Sequence, residues 1–283
     1  KLGIPPVDTL RPDGARGGAP ACPARRGLAR QTSGARARST PQPAWVRARQ
    51  GYGDNGMLVE FFSAELGRCG AVVRGAHRRK RGGSLASLLQ PFHPLLITFA
   101  GRRELKTLRS AEAPRPGYLL RGDALMSGLY LNELLVRSLP RMDVSPALFL
   151  AYGQAIESLY EGAGEESLRR FELVLLSELG YRLAWDSDEQ REPIRAEAHY
   201  RFEVDRGFCV ADGSDAETRG DRVLPGAESI RLGQWWEGAG PLGNEELSLL
   251  KRVTRVAVSQ LTGGRVIQTR EVFKDLKTLG KGV

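Results

Sequence analysis

Between residues 44 and 113 the apolar positions come in short runs separated by turn chemistry. Residues 45–49, 57–63, 70–76, 95–100 and 105–113 each hold such a run, the pattern of buried or half-buried strands. The breaks at 51–56, 66–67, 77–83 and 101–102 all contain glycine, a residue that punctuates strands. Five short strands in so little chain predict a small closed barrel. From residue 120 the period lengthens. Leu120, Leu125, Leu129, Leu131, Leu134, Leu135 and Leu139 form a stripe in a segment ended by Pro140, which predicts a helix. Helices over 146–160 and 165–179 follow, the second closed by Gly180 as a left-handed cap. Three such helices pack as a bundle. Residues 186–243 are polar and punctuated by Gly207, Gly213, Gly220, Gly226 and Gly233, so they read as loop-rich with a few short strands. Asn244 is the expected N-cap of a helix that reaches Leu261 and stops at Gly263 and Gly264.

The expected fold class is α+β and multidomain. Residues 1–43 form a disordered basic extension, 44–114 a barrel, 115–185 a helical domain, 186–243 an irregular segment without a zinc site, and 244–283 a helix with a basic tail. The extension is rich in Arg, Pro, Gly and Ala with almost no apolar periodicity, too little to offset the entropy of ordering. It starts at Lys1 with the first methionine at Met57. That fits a misplaced gene start, a transit peptide or a functional tail.

Charge sharpens the picture. The chain of 283 residues carries a net +9, but unevenly. Residues 1–43 are +6, 44–113 are +7, 114–243 are −8 and 244–283 are +4. A basic barrel attracts phosphates better than the same charge spread evenly, and the nucleic-acid-binding version of a five-stranded barrel is the OB-fold. Cys22, Cys69 and Cys209 are too few and too scattered for a disulfide framework, and no pair has zinc spacing. No apolar run approaches the roughly 20 residues of a membrane helix. A reducing cytoplasm is the expected compartment.

The strongest site candidate is Arg74-Gly75-Ala76-His77-Arg78-Arg79-Lys80-Arg81-Gly82-Gly83. It places cations on flexible stems beside backbone that can approach closely, as phosphate contact requires; a solvated loop is the competing reading. Arg47, Arg49, Arg68, Arg102, Arg103, Lys106 and Arg109 lie on or beside the same strands, and Trp45, Tyr52, Phe61, Phe62 and Phe92 are the available stacking rings. Of the adjacent Phe61 and Phe62, one should face the core and the other outward. A second basic patch comprises Lys251, Arg252, Arg255, Arg265, Arg270, Lys274 and Lys277. Catalytic hardware is missing. His77, His93 and His199 have no metal-ligand spacing, no phosphate-cradling Gly-rich loop with a Lys is present, and Glu165-Glu166 and Glu245-Glu246 suit helix starts. The chain reads as a binder without cofactor or metal, not as an enzyme.

Several separated motifs resemble the RecO family over roughly residues 44–280. In the barrel they are Gly67-Arg68-Cys69-Gly70, Arg74-Gly75-Ala76-His77-Arg78, Leu88-Leu89-Gln90-Pro91-Phe92 and Glu104-Leu105-Lys106-Thr107-Leu108, ending in Ala111-Glu112. Further on come Ser127-Gly128-Leu129-Tyr130-Leu131-Asn132-Glu133-Leu134-Leu135, Leu168-Arg169-Arg170-Phe171-Glu172-Leu173 with Leu179-Gly180-Tyr181, and Gly263-Gly264 with Thr269-Arg270-Glu271-Val272-Phe273. The resemblance implies an OB-fold, a helical bundle and a smaller C-terminal region. It implies a nucleoid-associated DNA repair protein that binds single- and double-stranded DNA and anneals complementary strands. Implied partners are the acidic C-terminal tail of single-strand binding protein, RecR and, indirectly, RecA. With only Cys209 near the place of the four-cysteine module of some members, the chain is similar to the zinc-free subgroup. Residues 51–55 are unusually glycine-rich for the first barrel turn. The residues expected on DNA are Arg47, Arg68, Arg74, Arg78, Arg79, Lys80, Arg81, Arg103, Lys106, Lys251, Arg252, Arg255 and Arg270. The partner tail is expected at Leu129, Tyr130, Leu134, Arg137 and Arg141. The alternatives are an OB-fold RNA-binding protein, which would prefer RNA and fail to anneal DNA, and a non-catalytic protein adaptor without DNA affinity.

Overall fold

The computed structural model describes residues 40–78, 83–101, 103–181, 183–211 and 223–279. Five strands come first, β1 (Gln42–Tyr52), β2 (Gly56–Ser63), β3 (Gly67–Val73), β4 (Pro94–Ala100) and β5 (Lys106–Glu112), with a one-turn helix α1 (Leu85–Leu88) between β3 and β4. They close a barrel in the order β1-β2-β3-β5-β4. Neighbours are antiparallel except β3 and β5, which run parallel through Ala71–Lys106 and Val72–Thr107. This is the OB-fold that the strand pattern predicts. Alternation fills its interior with Val46, Met57, Val59, Phe61, Cys69, Ala71, Val73, Ile97 and Phe99, while Ala86 and Leu89 from α1 close it. β1 begins at Gln42, inside the segment read as extension. The rest of that extension, residues 1–39, lies outside the described residues.

Helices α2 (Gly122–Ser138), α3 (Pro146–Glu161) and α4 (Gly164–Glu178) follow. Ser145 caps α3 by accepting from the Leu148 N–H at 3.1 Å, with Pro146 in the first turn. α4 ends with Gly180 at φ +90°. There the Tyr181 N–H bonds the Leu176 carbonyl at 2.8 Å and the Gly180 N–H that of Ser177, the two bonds of a Schellman motif.

The outer face of the barrel is not left to solvent. Trp45 and Phe62 point away from the interior into the bundle core, where Phe62 meets Phe149 and Tyr152 with centroids 5.5 and 5.9 Å apart. Phe61 and Phe62 do face opposite ways, yet both are buried, because α3 covers the outward one.

Residues 186–243 are more regular than expected. Strands β6 (His199–Glu203), β7 (Gly207–Val210) and β8 (Val223–Pro225) make a sheet in the order β7-β6-β8, and α5 (Gly226–Trp236) follows. Helices α6 (Asn244–Leu261) and α7 (Gln268–Leu279) complete the described chain. Gly243 rather than Asn244 is the cap of α6. Its N–H donates to the Glu246 carboxylate. Sheet, α5, α6 and one side of α4 share a third core containing Leu176, Trp185, Tyr200, Phe208, Trp235 and Val253.

Candidate nucleic-acid interface

A cleft of about 510 Å³ opens on the barrel between the β1–β2 turn and the approach to β5. Its walls include Tyr52, Val72, Arg74, Gly75, Arg103, Leu105 and Lys106. The β1–β2 hairpin, turned through Gly53 at φ +61°, presents Tyr52, which is 53% exposed. The parallel pairing of β3 and β5 sets Lys106 beside Ala71 and so brings Arg74 and Arg103, from separate loops, to one opening. Among the described residues Arg74, Arg103 and Lys106 form no ion pair, so their charge is available to an external anion. Arg78 is exposed and its side chain passes close to Gly75. Arg79, Lys80, Arg81 and Arg102 lie outside the described residues. An exposed ring, an apolar shoulder at Leu105 and three unpaired cations are the components of a single-strand groove. Of the other ring candidates Trp45, Phe61, Phe62 and Phe92 are buried, leaving Tyr52 as the stacking platform at this opening.

Two residues expected on DNA, Arg47 and Arg68, and one expected at the partner tail, Arg141, sit elsewhere, at the seam between barrel and bundle. Arg47 is 4% exposed and occupies the register shift of β1. Its Nε and Nη1 have no hydrogen-bond partner. Burial, reinforced by the positive charge of Arg68, pulls its pKa down to about 10. A buried guanidinium cannot reach a phosphate. Arg68 donates to the carbonyls of Val136 and Leu139, the latter at 2.8 Å, tying off the end of α2. Arg141 pairs with Glu60 at 2.6 Å and Glu104 at 3.2 Å.

The expected tail pocket does not assemble as a set. Leu134 is buried in the bundle core with Leu129 packed against it, Arg137 pairs with Glu133 at 2.7 Å, and Arg141 belongs to the seam. Tyr130 alone reaches a second cleft of about 420 Å³, lined by α2, α4, α6, α7 and the segment between the last two. Its apolar walls are Met126, Leu168, Ile267 and Phe273, and its cations are Lys251, Arg255, Arg265, Arg270 and Lys274. A buried network forms one side. The Tyr130 hydroxyl donates to Glu172 at 2.5 Å, Arg169 bonds Glu172 at 2.7 Å, and Arg270 donates to the Tyr130 oxygen at 2.6 Å. Burial and the Glu172 charge push the Tyr130 hydroxyl well above its ordinary pKa, which keeps it a donor. Lys251 and Arg255 therefore do share a helical face, and Arg270 joins them. Arg252 does not line the cleft and keeps a buried, unpartnered Nε. The sequence marks its cations as a second basic patch but not the cleft itself, since that needs separate elements to meet.

Among the described residues no three His, Cys, Asp or Glu side chains gather to hold a metal, and no helix is long and apolar enough to cross a membrane. His93 is half-buried with its ring against the Gly117 backbone.

Residues 38–116 match the family described as Recombination protein O N terminal, and residues 119–267 match Recombination protein O C terminal. The chain belongs to the RecO family. It is 39% identical over 236 residues to DNA repair protein RecO of Halorhodospira halophila, covering 83% of this chain and 97% of that one. It is equally identical to the RecO proteins of Alkalilimnicola ehrlichii (83% and 91%) and Pseudomonas putida (83% and 97%). The resemblance read from the scattered motifs is thereby borne out, and with it a role in DNA repair. The structure also gives a physical reading of one RecO-like motif. In Gly67-Arg68-Cys69-Gly70 the Met142 N–H bonds the Arg68 carbonyl at 2.9 Å. A side chain on Gly67 would overlap the Asp143 backbone, and one on Gly70 would crowd Arg141 and Glu60. The motif serves the seam.

Proposed function

We propose that the chain is a DNA-binding recombination mediator that holds single- and double-stranded DNA on its barrel and anneals complementary strands. Together with RecR it helps RecA onto strands coated by single-strand binding protein. The observation that carries this reading is the barrel cleft, where Tyr52 stands beside the unpaired Arg74, Arg103 and Lys106. Annealing brings two polyanions together, so a surface that neutralises both backbones lowers their repulsion without chemistry on either. Arg78 is exposed, and Arg79, Lys80 and Arg81 follow it in the sequence.

The cleft beside Tyr130 suits the tail of single-strand binding protein. A tail that is acidic and ends in a bulky apolar residue needs an apolar slot rimmed by cations, and Phe273, Leu168, Lys251, Arg255 and Arg270 supply both. The tail site is thus proposed around Tyr130 on α6 and α7, away from Arg137 and Arg141.

The test is binding of a labelled single-stranded oligonucleotide across a salt series. Replacing Arg74, Arg103 and Lys106 by Ala together removes up to three phosphate contacts, and the logarithmic salt slope falls by roughly 2. Annealing of complementary strands coated with single-strand binding protein slows in parallel. An unchanged slope places the DNA elsewhere, and preference for RNA with no annealing replaces the reading with that of an RNA binder.

A further inference from the structure

A third cleft, of about 610 Å³, lies beside α5 and differs in chemistry from both basic ones. It is lined by Leu183, Trp185, Asp186, Ile230, Trp236 and Glu237, among others. Its apolar side chains are Leu183, Trp185, Ile230 and Trp236, interleaved with polar surface that includes Gln234. Trp185 is packed on Phe208 with centroids 5.5 Å apart, and Gly233 lets α5 approach Trp185 so closely that a side chain there would strike the Trp185 Cβ. Trp236 is half-buried. Among the described residues the charged groups of its lining are both carboxylates. Asp186 accepts only a 3.2 Å bond from the adjacent Ser187 hydroxyl, and Glu237 has no side-chain partner among the described residues.

Glu237 stands at a helix end whose Trp235 carbonyl accepts from Arg170 at 3.5 Å. It caps the C-terminus of α5, whose last turn holds no basic residue. The dipole concentrates negative charge at that end and favours a cation there. Among the described residues two carboxylates without an ion pair stand at this opening, on a chain whose barrel and C-terminal segments are positive. Nucleic acid is repelled from such an opening, and a cation with an apolar stem is drawn to it. The tryptophans already show this preference within the chain. The Arg170 guanidinium lies 4.4 Å from the Trp235 ring centroid and 5.8 Å from that of Trp236, within the range of a cation–π contact. A planar guanidinium both stacks on an indole and pairs with a carboxylate, which an ammonium does less well.

We propose that this cleft docks a basic segment of a partner protein, an arginine stem lying along Trp236 and Leu183 and its guanidinium meeting Asp186 and Glu237. The occupant is a cationic peptide with apolar residues between its arginines, matched to apolar walls under an acidic rim. The site operates independently of the DNA surface, so a complex can hold nucleic acid and this partner at once.

The experiment measures fluorescence anisotropy of a labelled, end-capped pentapeptide alternating arginine and leucine against the full-length protein. A version with glutamate in place of arginine is the control. The arginine peptide binds and the glutamate peptide does not. Asp186→Asn with Glu237→Gln, two exposed and nearly isosteric changes, weakens binding at least tenfold. Trp236→Ala does the same, and all variants keep the oligonucleotide affinity of the parent. Equal binding of both peptides, or unchanged peptide affinity in the Asp186→Asn/Glu237→Gln protein, overturns the proposal. Loss of oligonucleotide binding alone in the Arg74, Arg103 and Lys106 variant would leave it standing, so the two readings fail separately.

Discussion

Gly67 has φ +61°, and a side chain on it would overlap the carbonyl of Asp143. Both the dihedral and the contact demand glycine. Gly67→Ala is therefore expected to cost about 3 kcal/mol or more, adding strain at a left-handed residue to loss of the seam; urea unfolding measures it. Arg47 works in the opposite direction. Its guanidinium is buried with two unpartnered nitrogens, next to Arg68 and Arg141 with Glu60 as their shared counter-charge. Replacing a poorly compensated buried charge by an apolar side chain of similar length is often stabilising. Arg47→Met should raise stability by about 1–2 kcal/mol while leaving oligonucleotide affinity unchanged, since the residue does not reach the surface. A loss of affinity in that variant would return Arg47 to the DNA face. Arg47 also marks a limit of sequence reading. Alternation along a strand tells which residues share a face, but not that a helix will cover that face.

At the level of elements, the barrel strands and the three bundle helices were legible to within a few residues. Their signals are local: alternation, a leucine stripe, Pro140, and Gly180 as a left-handed cap. Helix α5 is hidden in the sequence pattern because Gly226 and Gly233 look like punctuation. In the fold they are close-approach glycines, one against the Arg195 carbonyl and the other against Trp185, and only the tertiary structure reveals that. Helix α7 was read as a basic tail for a related reason. Val272 and Leu276 stay exposed, and its N-terminus is capped from far away in sequence by Glu133, which accepts from the Gln268 and Thr269 N–H groups and the Thr269 hydroxyl. Burial raises the Glu133 carboxyl, but those donors together with Arg137 outweigh it and hold its pKa below the ordinary value of 4.5. A depressed carboxylate contributes stability that is complete above its unfolded pKa and is lost as pH falls through the folded one. Amide protection in α7 should thus be constant at neutral pH and fall in acid, below about pH 4.3. Glu133→Gln should lower it at pH 7 without affecting β1–β5. Equal protection in the variant at neutral pH would mean that Ile267, buried in the bundle core, holds the helix alone.

For the whole molecule, the decisive fact is that barrel and bundle share a core. Trp45 and Phe62 belong to the same cluster as Tyr130, Leu134, Tyr152 and Phe171. Phe62→Ala should cost about 3–5 kcal/mol and reduce amide protection in β2 and α3 by the same amount, as measured by hydrogen exchange. Unequal losses would mean that the two parts unfold separately. The functional sites were only partly legible at this scale. The barrel cleft could be anticipated from a +7 segment with Tyr52 in a glycine-rich turn, because a hairpin tip is exposed by construction. The cleft beside Tyr130 could be anticipated only as a second basic patch and a single ring, because its lining comes from residues 126–130, 165–169, 251–259 and 264–274, which converge only after folding. The Trp45–Phe62 seam packs the barrel directly against helices that line the Tyr130 cleft. If the barrel holds a strand as proposed, tension on that strand passes to those helices through the shared core. A partner tethered there would then be pulled along with the strand.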